Sequence, residues 1–164
     1  KETALDPFTG KTVERTVVKI KLPLGLNTPP VVPGENQLTL SKWQLGKQLY
    51  FDSILSSDGT VSCSTCHTPK AGFSDASKTS KGINGSLGGM NAPTVINTAY
   101  NRLQFWDGRA DSLEAQAQGP VQNNVEMFGS EFGTRDPANV RGSFCYAFWW
   151  YVFLFPELDS RPIL

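Results

Sequence analysis

Two cysteines three positions apart, with a histidine directly after the second, are the residues of this 164-residue chain best suited to chemistry: Cys63-Ser64-Thr65-Cys66-His67. The spacing is a geometric requirement of the chemistry they suit. Covalent haem c needs that set. Each thiol adds across a vinyl group, and the imidazole ligates the iron from below. With three cysteines and one histidine in the chain, random placement gives this order roughly two times in ten thousand, so coincidence is not a rival. A zinc half-site would want two further Cys or His ligands, and a redox dithiol a thioredoxin-like βαβ pattern; the sequence carries neither companion. His67 is the single histidine, which excludes a multi-histidine metal centre or a Ser–His pair elsewhere. One covalent haem c on Cys63, Cys66 and His67 is the expectation.

Haem alone does not separate an electron carrier from an enzyme. A methionine in the sixth position makes a six-coordinate electron carrier, whereas an open position admits peroxide or other small ligands. The two methionines, Met90 and Met127, are the candidates, and for each the competing role is a surface or packing one.

These residues need a scaffold, and 164 residues with 39% hydrophobic content suffice for one domain with a core. Fifteen basic residues balance fifteen acidic ones, with no long run of either sign, so nucleic acid is not an expected partner. The first residues lack the apolar stretch of a signal peptide, and Lys1 in place of Met suggests a processed form. Residues 1–36 read as an extended arm, with loose alternation from Thr12 to Leu24 and then a Pro- and Gly-bearing stretch. The haem domain is expected over 37–128. A helix is predicted from Ser41, as N-cap, to Asp52, with Leu45 and Leu49 as its stripe and Trp43 and Tyr50 beside it. Residues 68–93 read as a long irregular loop. A second helix should begin near Asp111 or Ser112, carry Leu113, Glu114 and Gln116, and stop at Gly119-Pro120. The predicted fold class is all-α, a c-type cytochrome domain of short helices and long loops around one haem. Residues 129–164 differ in character: 131–137 (EFGTRDP) resemble a translated polylinker, and Phe144 to Phe155 form an apolar run too short for the about 20 residues a bilayer span needs. This tail is read either as a buried or interfacial segment or as foreign, frame-shifted or truncated sequence, with Cys145 a spare thiol.

From Leu45 to Met127 the chain closely resembles the N-terminal haem domain of the bacterial di-haem cytochrome c peroxidase and MauG family. The matching stretches are Leu45-Gly46-Lys47, Leu49-Tyr50-Phe51-Asp52, Leu55-Ser56-Ser57, Gly72-Phe73-Ser74-Asp75, Asn91-Ala92-Pro93-Thr94 with Asn97, Gln104-Phe105-Trp106-Asp107-Gly108-Arg109-Ala110, Gly119-Pro120-Val121-Gln122 and Val125-Glu126-Met127. The resemblance implies a peroxidatic haem. It makes Glu126 the distal carboxylate that moves protons, Gln116 the glutamine beside it, Trp106 the tryptophan that assists electron transfer between two haems, and Phe105 a neighbour of the cofactor. It makes Asn91 a ligand of a calcium ion. The implied partners are hydrogen peroxide, a small electron-donor protein (a cytochrome c or a cupredoxin) and a second haem domain or subunit.

Two departures stand beside the matches. The chain has no second C-x-x-C-H, and the histidine that classical members carry after the first haem falls, by spacing, at Ile83. The iron is therefore expected to be five-coordinate and open, or else closed by Met90. Three readings follow: a peroxidase-type haem domain, including a MauG-like variant that oxidises a partner protein; a mono-haem electron carrier with His/Met ligation; and a catalytically incomplete fragment. Covalent attachment takes place outside the cytoplasm, so the expected location is periplasmic or exported.

Overall fold

The computed structural model describes residues 1–5, 10–16, 18, 22, 24–34 and 37–128. The expectations for 129–164 and for Cys145 lie outside the described residues. The N-terminal arm opens with an antiparallel hairpin, β1 (Glu2–Leu5) and β2 (Thr12–Arg15), in which Glu2 faces Arg15 and Leu5 faces Thr12. The Lys1 ammonium meets the Glu14 carboxylate at 2.9 Å, an exposed pair of small energetic weight. The arm then ties into the helical part. Thr16 accepts a hydrogen bond from the Leu40 N–H at 2.9 Å, and the Tyr100 hydroxyl donates to the Thr28 carbonyl at 3.1 Å.

Outside this hairpin the named elements are helical, as an all-α cytochrome c domain requires. Helix α1 spans Leu40–Phe51. Its N-cap is Thr39, whose hydroxyl accepts from the Lys42 N–H, and not the expected Ser41. The reason is tertiary: Thr16 satisfies the otherwise orphaned N–H of Leu40, so the helix can start two residues earlier. The buried face also differs from the expected stripe. Gly46 and Tyr50 are buried with Trp43 packed beside them, while Leu45 is 41% exposed. Trp43, Gly46 and Tyr50 follow i, i+3, i+7 spacing, and Tyr50 fills the centre of a cluster with Phe73, Val95 and Ala117. Phe73 meets the Tyr50 ring edge-on at 6.2 Å between centroids.

A single turn, α2 (Cys63–Cys66), follows. The third helix, α3 (Leu113–Gln122), is capped by the Ser112 hydroxyl, which accepts from the Ala115 N–H at 3.1 Å. Gly119-Pro120 does not end it. Proline withdraws one N–H and crowds the preceding turn, but packing compensates: the Phe105 ring lies so close to Gly119 that an added Cβ would stand 2.9 Å from its tip. The helix closes at Asn123, whose N–H reaches the Gly119 and Pro120 carbonyls.

The segment 68–93 is irregular as expected, yet tightly tied. Short 3-10 turns occupy Pro69–Ala71 and Ile83–Gly85. Ser80 donates to the Asp75 carboxylate at 2.6 Å, Ser74 to the Ala92 carbonyl at 2.8 Å, and Thr94 to the Gly72 carbonyl at 2.6 Å. A second buried cluster joins Leu55, Val61, Ile83 and Met127. Among the described residues no helix is long and apolar enough to cross a membrane.

Candidate functional site

The C-x-x-C-H segment forms one turn because its own polar side chains start it. The Ser62 N–H donates to the Thr65 hydroxyl at 3.0 Å, and the His67 N–H closes the turn onto the Cys63 carbonyl at 2.9 Å. Both cysteines are free thiols. Burial and the neighbouring Cys66 push the Cys63 thiol up to about 12, so it stays protonated.

The His67 ring is oriented by main-chain carbonyls: Nδ1 lies 3.0 Å from the Pro93 oxygen and 3.3 Å from the Phe73 oxygen. A carbonyl can only accept, so Nδ1 carries the proton and Nε2 presents its lone pair. That is the tautomer a metal-ligating histidine adopts when its second nitrogen bonds a carbonyl. Burial lowers the imidazole's pKa, which favours the neutral, ligating form. Phe73 holds a left-handed backbone at φ 60° in the turn that supplies one of these carbonyls. The Tyr50 hydroxyl donates to the carbonyl of His67 itself, fixing the main chain under the ring.

Two adjoining cavities, of about 70 and 340 Å³, open beside this turn. They share Cys66, His67, Ser80, Gln116, Pro120 and Glu126, while Cys63 lines the smaller one. Residues 116 and 126, far from the motif in sequence, are thus brought to it. The Gln116 Oε1 is buried without a hydrogen-bond donor, an orphan acceptor on a residue that lines both cavities. Burial pushes Glu126 up from its ordinary value, against the opposing charge of Arg109. Two adjacent thiols, an imidazole with a free Nε2 and an orphaned buried amide around one cavity fit what a covalent haem c needs.

Met90, Asn91, Phe105 and Trp106 all line the larger cavity. Met90 is 61% exposed and Trp106 is 60% exposed. The Trp106 indole donates to the Asn91 main-chain carbonyl at 3.1 Å. Phe105, left-handed at φ 66°, is clasped between Gly119 and the Arg109 guanidinium, which stands 3.5 Å above its ring centroid. Met127 is 3% exposed and packs in the core. So does Ile83, at 4% exposure. Arg109 and Asn123 were not singled out from the sequence; the signal for Arg109 was its place in the 104–110 motif, and for Asn123 no local signal existed.

A family model described as di-haem cytochrome c peroxidase matches residues 40–142. The chain belongs to that family. The membership carries haem c with it, and agrees with the domain resemblance read from the motifs. Over 96 residues it is 48% identical to the cytochrome c peroxidase Ccp of Escherichia coli (strain K12), covering 58% of this chain and 21% of that protein. It is 46% identical over 95 residues to the methylamine utilization protein MauG of Methylorubrum extorquens, covering 58% of this chain and 27% of that protein. The solved structure of a MauG-like protein associated with microbial copper homeostasis superposes with a TM-score of 0.72 at 29% identity, over 84% of this chain and 43% of that one. The chain spans about a quarter of the length of these curated relatives.

Proposed function

We propose that this chain is the peroxidatic haem domain of a di-haem cytochrome c peroxidase or MauG-like protein, reducing hydrogen peroxide with electrons from a redox partner. One observation carries the reading: Glu126 and Gln116 share with Cys66 and His67 a cavity that no local sequence relationship would produce. In this reading Cys63 and Cys66 anchor one haem c and His67 ligates it. When bound, the haem would supply the redox chemistry of an iron able to activate peroxide. The protein supplies the rest. Glu126 takes the proton from one peroxide oxygen and returns it to the other, a task helped by a pKa that burial raises above its ordinary value. The Gln116 Oε1, lacking a donor, accepts a hydrogen bond from the peroxide and fixes its orientation. In this reading Trp106, largely exposed and lining the larger cavity, passes electrons in from a second haem domain or subunit. The donor protein is a small cytochrome c or cupredoxin, and the location is periplasmic or exported. A calcium ion at Asn91 would use its side-chain amide oxygen, and it would need further oxygen ligands.

A second reading, an electron carrier, rests on Met90 lining the same cavity as His67. Ferric absorption and low-temperature EPR spectra of the haem-loaded protein, taken before and after peroxide, separate the two. The peroxidatic site is expected to give a high-spin signal that peroxide abolishes, at a rate strongly reduced by Glu126→Gln. A wholly low-spin signal that ignores peroxide, and turns high-spin in Met90→Ala, would overturn it in favour of the carrier. Loss of covalent haem in Cys63→Ala and Cys66→Ala checks the anchors.

A further inference from the structure

Glu126 lies on no helix. It sits four residues beyond the last residue of α3, in the turn that follows Asn123. A carboxylate on an irregular segment has many rotamers, and a reacting group must be held close to one of them. The hydrogen bonds of this turn converge on a single residue. The Asn123 main-chain carbonyl accepts from the N–H groups of Glu126 (3.1 Å), Met127 (3.1 Å) and Phe128 (2.9 Å). Its side-chain Oδ1 accepts from the Val125 N–H at 2.8 Å, and its Nδ2 donates to Glu126 Oε1 at 2.9 Å. The orientation of the amide is not arbitrary: Val125 offers a donor and must meet the oxygen, so the nitrogen is the atom turned to Glu126.

We propose that Asn123 is the positioning residue of Glu126: its amide N–H pins Oε1 and leaves Oε2 as the oxygen that exchanges protons with a ligand in the cavity. The proposal rests on the peroxidatic reading above. A hydrogen bond to an ionised oxygen is among the stronger kinds. Holding one carboxylate oxygen makes the other the site of protonation, so the proton is delivered along a defined direction. Asn123 itself lines neither cavity, and its side chain reaches the site through the hydrogen bond to Glu126.

Asn123→Asp separates aiming from folding, because an aspartate keeps an oxygen for the Val125 N–H but removes the donor to Glu126 and sets a like charge beside it. Three properties of the haem-loaded chain are read: the stretching frequency of carbon monoxide on the reduced iron, the second-order rate with peroxide, and the thermal midpoint. In Asn123→Asp the carbon monoxide band should move in the direction that Glu126→Gln moves it. The peroxide rate should fall about tenfold, with the midpoint little changed. Added to Glu126→Gln, the substitution should change neither the band nor the rate further, since the residue has nothing left to aim. Asn124→Asp, one residue away, should leave all three unaltered. Asn123→Ser, which can still cap the turn but cannot reach Glu126, repeats the test should the aspartate variant fold poorly. A wild-type band in Asn123→Asp overturns the proposal, as does an equal effect with and without Glu126. No band shift from Glu126→Gln also overturns it. A Glu126→Gln variant that moves the band but leaves the peroxide rate intact would instead remove the peroxidatic reading, with the positioning by Asn123 upheld.

Discussion

Replacing Gly82 with Ala tests how the carboxylate-bearing turn is seated. Gly82 has φ −100°, a conformation open to alanine, so backbone strain plays no part and the obstacle is contact alone. A Cβ built there stands 1.7 Å from the Val125 oxygen, 2.7 Å from its carbonyl carbon and 2.8 Å from the Glu126 Cα. All three are main-chain atoms with no flexible end to swing aside, so the two segments must part by about 1.3 Å or more. Overpacking of this kind costs about 1–3 kcal/mol. Parting the segments also strains the 3.0 Å hydrogen bond from the Ile83 N–H to the Glu126 carbonyl, worth about 1 kcal/mol. A total of about 2–4 kcal/mol lowers the thermal midpoint of a domain this size by at least about 8 °C. Displacement of Glu126 by the same amount should reduce the peroxide rate by up to about a hundredfold. Calorimetry and stopped-flow absorbance on the haem-loaded variant measure both. Gly34→Ala, with open space around the added carbon, is the control. A Gly82→Ala protein that melts within about 2 °C of the parent and reacts at the parental rate refutes the reasoning.

Tyr50→Phe removes the hydroxyl that holds the His67 carbonyl, and should cost about 1–2 kcal/mol in denaturant unfolding without loss of covalent haem; an unchanged midpoint would contradict that role. Ser112→Ala removes the cap of α3 and should cost about 1 kcal/mol, with faster amide exchange at Ala115 as the local signature. The Asp58 carboxylate is held below its ordinary 3.8 by the Thr60 hydroxyl and the Asn84 N–H, which join the turn before the haem motif to the Ile83–Gly85 turn. A depressed folded value means that its stabilisation is complete above 3.8 and lost as pH falls through the folded pKa, so the thermal midpoint should drop below pH 4. Asp58→Asn should flatten that drop, and an equal acid sensitivity in both proteins would assign it elsewhere.

What was legible in the sequence is what short-range geometry dictates. Cys63, Cys66 and His67 lie within a single turn, so their chemistry followed from spacing before any fold was known. The Ser112 start of α3 and the irregular run 68–93 were legible for the same reason: caps and turn residues act within three or four positions. Helix ends and faces were less so. Thr39 displaced Ser41 as the N-cap because a carbonyl from Thr16 reached Leu40, and α3 continued through Gly119-Pro120 because the Phe105 ring packs against it. Tyr50, not Leu45, became the buried anchor of α1, since its hydroxyl had the His67 carbonyl to meet.

The candidate site divides along the same line. Gln116 and Glu126 could be named from the motif resemblance, but their approach to His67 is a long-range event that only tertiary packing decides. Met127 and Ile83 were brought by tertiary packing into one buried cluster with Leu55 and Val61, with Met127 also lining the smaller cavity beside Cys63 and His67. Gly82 and Asn123 had no signature at all: one matters because a backbone 43 residues away presses against it, the other because its amide happens to face a carboxylate three residues on. Local covalent spacing determines which atoms are available for chemistry. The burial of distant segments against each other determines which of them meet.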